Sequence, residues 1–200
     1  MRQDAKTLLQ SSTVNPTLFF VILLFFISLF FRTLFLQQIP TGISDDELSF
    51  IFNAKAFFLT GHTVTHPFVE IPHILMAPFV GLFPFSLFWS KLPYAVIGSF
   101  LPVVLFFISL KLIGKKGAVF VGLVASINPW SIFFSRTAYE APLAIFFLLF
   151  GFCMMLYAKS WKILFAFVPF FLGFYCYQGT KVIFIPFVLF LCLYSWYVLH

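Results

Sequence analysis

Long apolar runs separated by short polar knots organise this chain. A polar lead of fifteen residues, with Arg2 and Lys6, gives way to an apolar stretch over 17–36. About twenty such residues suffice to cross a bilayer. The stretch is too long for a signal-peptide core, and Phe35-Leu-Gln-Gln-Ile-Pro40 offers no small-residue cleavage site, so it reads as an uncleaved anchor. Five more apolar runs follow at about 92–113, 117–134, 140–158, 163–178 and 182–199. Their connections are short: Gly114-Lys-Lys-Gly117, the Asn128-Pro129-Trp130 breaker, Lys159-Ser-Trp-Lys162 and Gln178-Gly-Thr-Lys181. The pattern predicts one all-α domain, a polytopic bundle of transmembrane helices.

The segment 37–91 is different in kind, holding four of the six acids and three of the four histidines. Ser44 with Glu47 three residues on is a capping box, which predicts a helix start, and Gly61 supplies the stop. Within that helix Asp46, Ser49, Asn53 and Thr60 share one face. Leu48, Ile51, Phe52, Phe58 and Leu59 share the other, with Lys55 among them able to snorkel. An amphipathic helix lying in the membrane interface is therefore expected in this first loop. Residues 62–72 read as a loop, and the apolar run over 74–85 is short for a span.

Composition agrees with the pattern. With 62% hydrophobic residues, 9% charged and a mean hydropathy of +1.06, an ordinary soluble domain is excluded. The 34 phenylalanines read as lipid-facing and interhelical filler. The formal charge of +6 suggests nucleic acid only until the charges are placed on the topology, and no nucleic-acid partner is then expected. With the amino terminus in the cytoplasm, Arg2, Lys6, Lys111, Lys115, Lys116, Lys159 and Lys162 lie inside, against Lys55, Lys91, Arg136 and Lys181 outside. That satisfies the positive-inside rule and puts every acid but Asp4 outside, so the loop 37–91 is extracytoplasmic. Cys153, Cys176 and Cys192 sit in apolar runs and imply neither a disulfide framework nor a metal.

Three carboxylates in a row at a membrane edge, Asp45-Asp46-Glu47, need water, a cation or a substrate. Around them stands a longer pattern. Arg32 is followed by Pro40-x5-Asp46-Glu47, Asn53-Ala54 and Thr60-Gly61. Then come Lys91-Leu-Pro93 with Gly98, Asn128-Pro-Trp-Ser-Ile-Phe-Phe-Ser-Arg136-x3-Glu140, and Tyr175-Cys-Tyr-Gln-Gly-Thr-Lys-Val182. In order and spacing, from Arg32 to Val182, the chain resembles the amino-terminal part of a GT-C glycosyltransferase. More narrowly it resembles the dolichyl-phosphate-mannose–protein mannosyltransferase family in its prokaryotic branch. Two departures stand out: Lys91 occupies a position where many relatives carry Arg, and relatives continue past the equivalent of His200, so the 200 residues are expected to be a fragment.

The resemblance implies inverting transfer of a sugar from a polyprenyl-phosphate carrier to a hydroxyl acceptor, in protein or in a glycan or lipid, at the extracytoplasmic face. Such transfer needs a base for the acceptor proton and cations for the departing phosphate. Asp46 is the candidate base, at a helix start whose dipole favours a carboxylate; Asp45 is its rival, and Glu47 the third candidate, already engaged if the capping box forms. Carrier-phosphate binding is the natural role for Arg32 in its apolar run, with snorkelling to headgroups as the alternative. Arg136 and Glu140, spaced i, i+4, either pair with each other or contact phosphate and sugar separately. Lys181 and Asn53 complete the candidate substrate-binding set.

His62, His66, Glu70 and His73 have near-metal spacing, but Pro67 and Pro72 interrupt any single helix there, so no metal site is assigned. No cofactor is fixed by the sequence, and assistance by a divalent ion stays open. A transporter and a non-catalytic membrane scaffold are the competing readings. The transporter class uses ionisable groups near mid-bilayer, whereas here they gather toward one face.

Overall fold

In the computed structural model, residues 16–65 and 70–199 are described. Arg2, Asp4, Lys6 and His66 fall outside them. Nine α-helices are found among the described residues: α1 Pro16–Thr33, α2 Asp45–Thr60, α3 Ile71–Leu82, α4 Leu87–Leu112, α5 Gly114–Ile127, α6 Pro129–Ser135, α7 Glu140–Tyr157, α8 Phe167–Cys176 and α9 Gln178–Leu199. A 3₁₀ segment, Ser160–Ala166, leads into α8. No strand is present among these residues.

Three helices, α1, α4 and α7, are long and apolar enough to cross a membrane, and α5 with α6 makes a fourth if the bent pair is one span. The bend of 53° falls at the Asn128-Pro129 breaker. Proline cannot donate to the preceding turn, and the Asn128 side chain restarts the chain by accepting from Ser131 N–H at 3.0 Å. α3 has twelve residues, about 18 Å of helix, and is too short to span. Large apolar side chains remain exposed along α1 and α9, among them Phe19, Phe26, Phe30, Leu189, Phe190 and Trp196, a surface compatible with lipid contact.

Helix ends gather at two poles. Leu24 of α1 packs with Phe106 of α4 and Ala118 of α5. Val104 and Ile108 of α4 meet Cys153 and Leu156 of α7, and the Lys111 ammonium lies 5.9 Å from the Tyr157 ring. The carboxy ends of α4 and α7, and the amino ends of α1 and α5, therefore share one pole, with Lys111, Lys115 and Lys116 on it. At the other pole α2 and α3 lean on α4, α7 and α8 through Phe50, Ile51, Ala54, Met76, Tyr94, Leu143 and Cys176. Asp45, Asp46, Glu47 and Glu140 stand at this second pole, at the amino ends of α2 and α7.

The capping box forms as the sequence predicts. Ser44 N–H donates to Glu47 Oε2 and Glu47 N–H to Ser44 Oγ, both at 3.2 Å, and Gly61 closes α2 at φ 75°. The facing of α2 differs from expectation. Its buried side is Glu47, Phe50, Ile51, Asn53 and Ala54, while Leu48, Phe52 and Leu59 are exposed. The helix carries apolar residues on two sides, and the side complementary to α3 takes the core.

Candidate functional site

The three consecutive acids part company. Asp45 and Asp46 are exposed in the first turn of α2, whereas Glu47 is 3% exposed. A helix turns about 100° per residue, so the third acid points back into the protein. Its Oε1 accepts from Ala138 N–H at 2.8 Å, and its Oε2 from Ser44 N–H. Both carboxylate oxygens of Glu47 are thus bonded to backbone, tying the head of α2 to the 136–139 turn.

That turn also anchors α1. Arg136 is not on the α7 helix with Glu140; it caps the end of α6, and α7 starts at Glu140. Arg136 spends its donors on backbone instead. Arg136 donates to the carbonyl oxygens of Ile39, Phe31 and Leu34 at 3.1, 2.9 and 2.6 Å. These carbonyls lie at and just beyond the end of α1, where a helix leaves acceptors unsatisfied and favours a cation. Burial draws the Arg136 guanidinium below its ordinary pKa.

Arg32 does not snorkel. It is fully buried, and Nη1 donates to Ser28 Oγ at 2.6 Å and to Ser126 O at 3.2 Å, while Nη2 donates to Ser131 Oγ at 2.7 Å. It joins α1 to α5 and α6, closed off from a carrier phosphate in this arrangement. Asn53, placed by the helical pattern on an outward polar face, is also fully buried. Its Oδ1 accepts from Val64 N–H and Thr65 N–H at 2.8 and 2.9 Å, and its Nδ2 donates to Thr65 Oγ1 at 2.6 Å. Lys181 is half-buried in the first turn of α9, and Glu140 is half-buried at the head of α7.

Lys91 and Tyr94 were not in the sequence-derived set of site residues. One turn apart on α4, they are 1% and 2% exposed, and neither Lys91 Nζ nor Tyr94 Oη has a hydrogen-bond partner among the described residues. Lys91 lies in the field of Glu47 and Arg136. Its signal in the sequence was a lone cation five residues into an apolar helix. His73 is buried against the Phe50 ring and its Nδ1 accepts from Glu70 N–H at 3.1 Å, while His62 is exposed beyond Gly61. Among the described residues no three His, Cys, Asp or Glu side chains converge as metal ligands.

One open face remains beside these buried struts. A groove of about 500 Å³ runs along α2 and is walled by Val64 and Thr65; Asp45 lies toward its start, Ser49 and Phe52 in the middle, and Lys55 and Leu59 beyond them. The Asn53 bonds to Val64 and Thr65 hold that wall in place. A smaller apolar cleft of about 240 Å³ between α4, α6 and α7 has no titratable side chain in its lining. Compared with protein-family models, curated proteins and solved structures, the chain finds no match.

Proposed function

We propose that this chain belongs to a GT-C-type membrane glycosyltransferase that moves a sugar from a polyprenyl-phosphate donor to a hydroxyl acceptor. The observation carrying the reading is the Asp45–Asp46 pair. Both acids are exposed at a capped helix start and Asp45 lines the groove there, while Glu47 beneath them is fully engaged in holding that helix. The family likeness of the motif residues supplies the reaction class. In this reading α2 lies in the interface, the acid-rich pole faces outward and the lysine-rich pole faces the cytoplasm.

Asp46 takes the acceptor hydroxyl proton, with Asp45 as the alternative base. The acceptor oxygen forms its bond to the anomeric carbon as the bond from that carbon to the carrier phosphate breaks. The carrier leaves as polyprenyl phosphate and the configuration inverts. Glu47, Arg136 and Asn53 are positioning residues: they fix the head of α2, the 34–47 segment and the groove wall. Arg32, engaged by serines, belongs with them in the present arrangement.

The test is a transfer assay in membranes bearing the chain with any native continuation, following label from polyprenyl-phosphate sugars into protein and glycolipid. Replacing the acting base by its amide is expected to lower transfer about 10²–10⁴-fold. Asp46→Asn is the first variant and Asp45→Asn the second. Undiminished transfer in both and in the double variant overturns the assignment of the base. Absence of transfer from any donor by an inserted, folded chain overturns the reaction class and favours a scaffold or transporter.

A further inference from the structure

The two sides of α2 do different work. Phe50, Ile51 and Ala54 face the core, while Asp45, Leu48, Phe52, Lys55 and Leu59 form the opposite, exposed stripe. Along the axis that stripe reads as a carboxylate, an aromatic ring, a cation and an aliphatic end. Phe52 is 63% exposed, Leu59 68% and Val64 77%. We propose that this stripe is the donor groove, and that it binds a polyprenyl-phosphate sugar in one direction only. The sugar lies over Phe52 toward Asp45, the phosphate is held by Lys55, and the isoprenoid chain leaves along Leu59 and Val64. This inference rests on the transferase reading above and gives its donor a place and an orientation.

Charge decides the direction. The reverse orientation would set the phosphate against Asp45 and leave Lys55 over an uncharged chain. Like charges at such a distance repel, and the proper orientation replaces that repulsion by a charge-assisted contact. Length agrees as well. Asp45 and Lys55 are ten residues apart, about 15 Å along the helix. That span holds one sugar and its phosphate, with a contact at each end, when both side chains stand off the helix rather than along it. The groove volume of about 500 Å³ falls within the range of small-ligand sites. Hydroxyls at the sugar end meet Ser49, whose Oγ lies 3.3 Å from Thr65 Oγ1. The wall is rigid because Asn53 bonds both of its amides, so little ordering is needed on binding.

Lys55 is exposed, so its substitution tests binding directly. The measurement is equilibrium binding of farnesyl phosphate to the full chain in phosphatidylcholine nanodiscs, with farnesol, mannose 1-phosphate and inorganic phosphate as comparison ligands. Lys55→Met is expected to weaken farnesyl phosphate binding about tenfold and leave farnesol unchanged, while Lys55→Arg retains binding. Equal affinity in wild type and Lys55→Met overturns the proposal. So does mannose 1-phosphate binding as tightly as farnesyl phosphate, which would indicate a soluble phosphosugar. The two readings fail separately. Lys55-dependent binding without transfer removes the reaction but keeps the groove, and Asp46-dependent transfer indifferent to Lys55 does the reverse.

Discussion

Glu47 and Lys91 carry the sharpest prediction at the scale of single residues. A buried ammonium without a hydrogen bond is tolerable only where a carboxylate offsets it, and Glu47 is the anion in whose field Lys91 sits. Glu47→Gln removes that charge and turns an amide N–H₂ toward backbone donors. Because one of the two backbone-bonded carboxylate oxygens is lost, a destabilisation of about 1–3 kcal/mol is expected by thermal or denaturant unfolding in detergent. Adding Lys91→Met removes the stranded cation, so the double variant should be more stable than the sum of the single losses by about 1–3 kcal/mol. Additive losses would show that the two charges do not sense each other. The acid triplet thus contains two kinds of residue, and the capping box was the visible sign of it. Ser44 and Glu47 three apart already committed one carboxylate oxygen; the second partner, Ala138, lies 91 residues away and leaves no trace in local pattern.

At the scale of elements, the close approach of α4 and α6 is set by Gly98. A Cβ added there would lie 2.3 Å from Ser135 Cβ and 3.5 Å from Arg32 Nε. Gly98→Ala should therefore push α6 outward and destabilise by about 1–3 kcal/mol, and Ser135→Gly should restore much of it. Rescue read in the same unfolding measurement checks the contact; failure of rescue would place the strain elsewhere. Elements with strong local chemistry were legible from sequence: α2 by its capping box and Gly61, and the α5–α6 break by Asn128-Pro129. The buried side of α2 was not. Leu48, Phe52 and Leu59 are as apolar as Phe50, Ile51 and Ala54, so periodicity alone could not choose which set meets α3. Asn53 was misplaced for the same reason, because its polarity is satisfied by a neighbouring loop rather than by water. The Arg136–Glu140 spacing read as i, i+4 on one helix because the non-helical 136–139 turn carries no proline or glycine to announce it.

The whole molecule is polarised along its helices. Lys111, Lys115 and Lys116 stand at one pole, and the acids of α2 and α7 at the other. In intact cells, a membrane-impermeant maleimide should label His62→Cys directly and Lys116→Cys only after permeabilisation, in a Cys192→Ser background. The opposite pattern would overturn the orientation proposed above.

Arg136 has a last consequence, for the order in which the chain is made. The carbonyl oxygens it receives, on Phe31, Leu34 and Ile39, precede it by 105, 102 and 97 residues. At about 5–20 residues per second, synthesis takes roughly 5 to 20 s to cover that distance. Throughout that interval the first helix has emerged without the guanidinium that finishes its end, and Glu47 still lacks the amide of Ala138. The corner bearing the acids is therefore closed late in biosynthesis by a turn translated long after it, and Asp45 and Asp46 come to rest only once that turn has arrived.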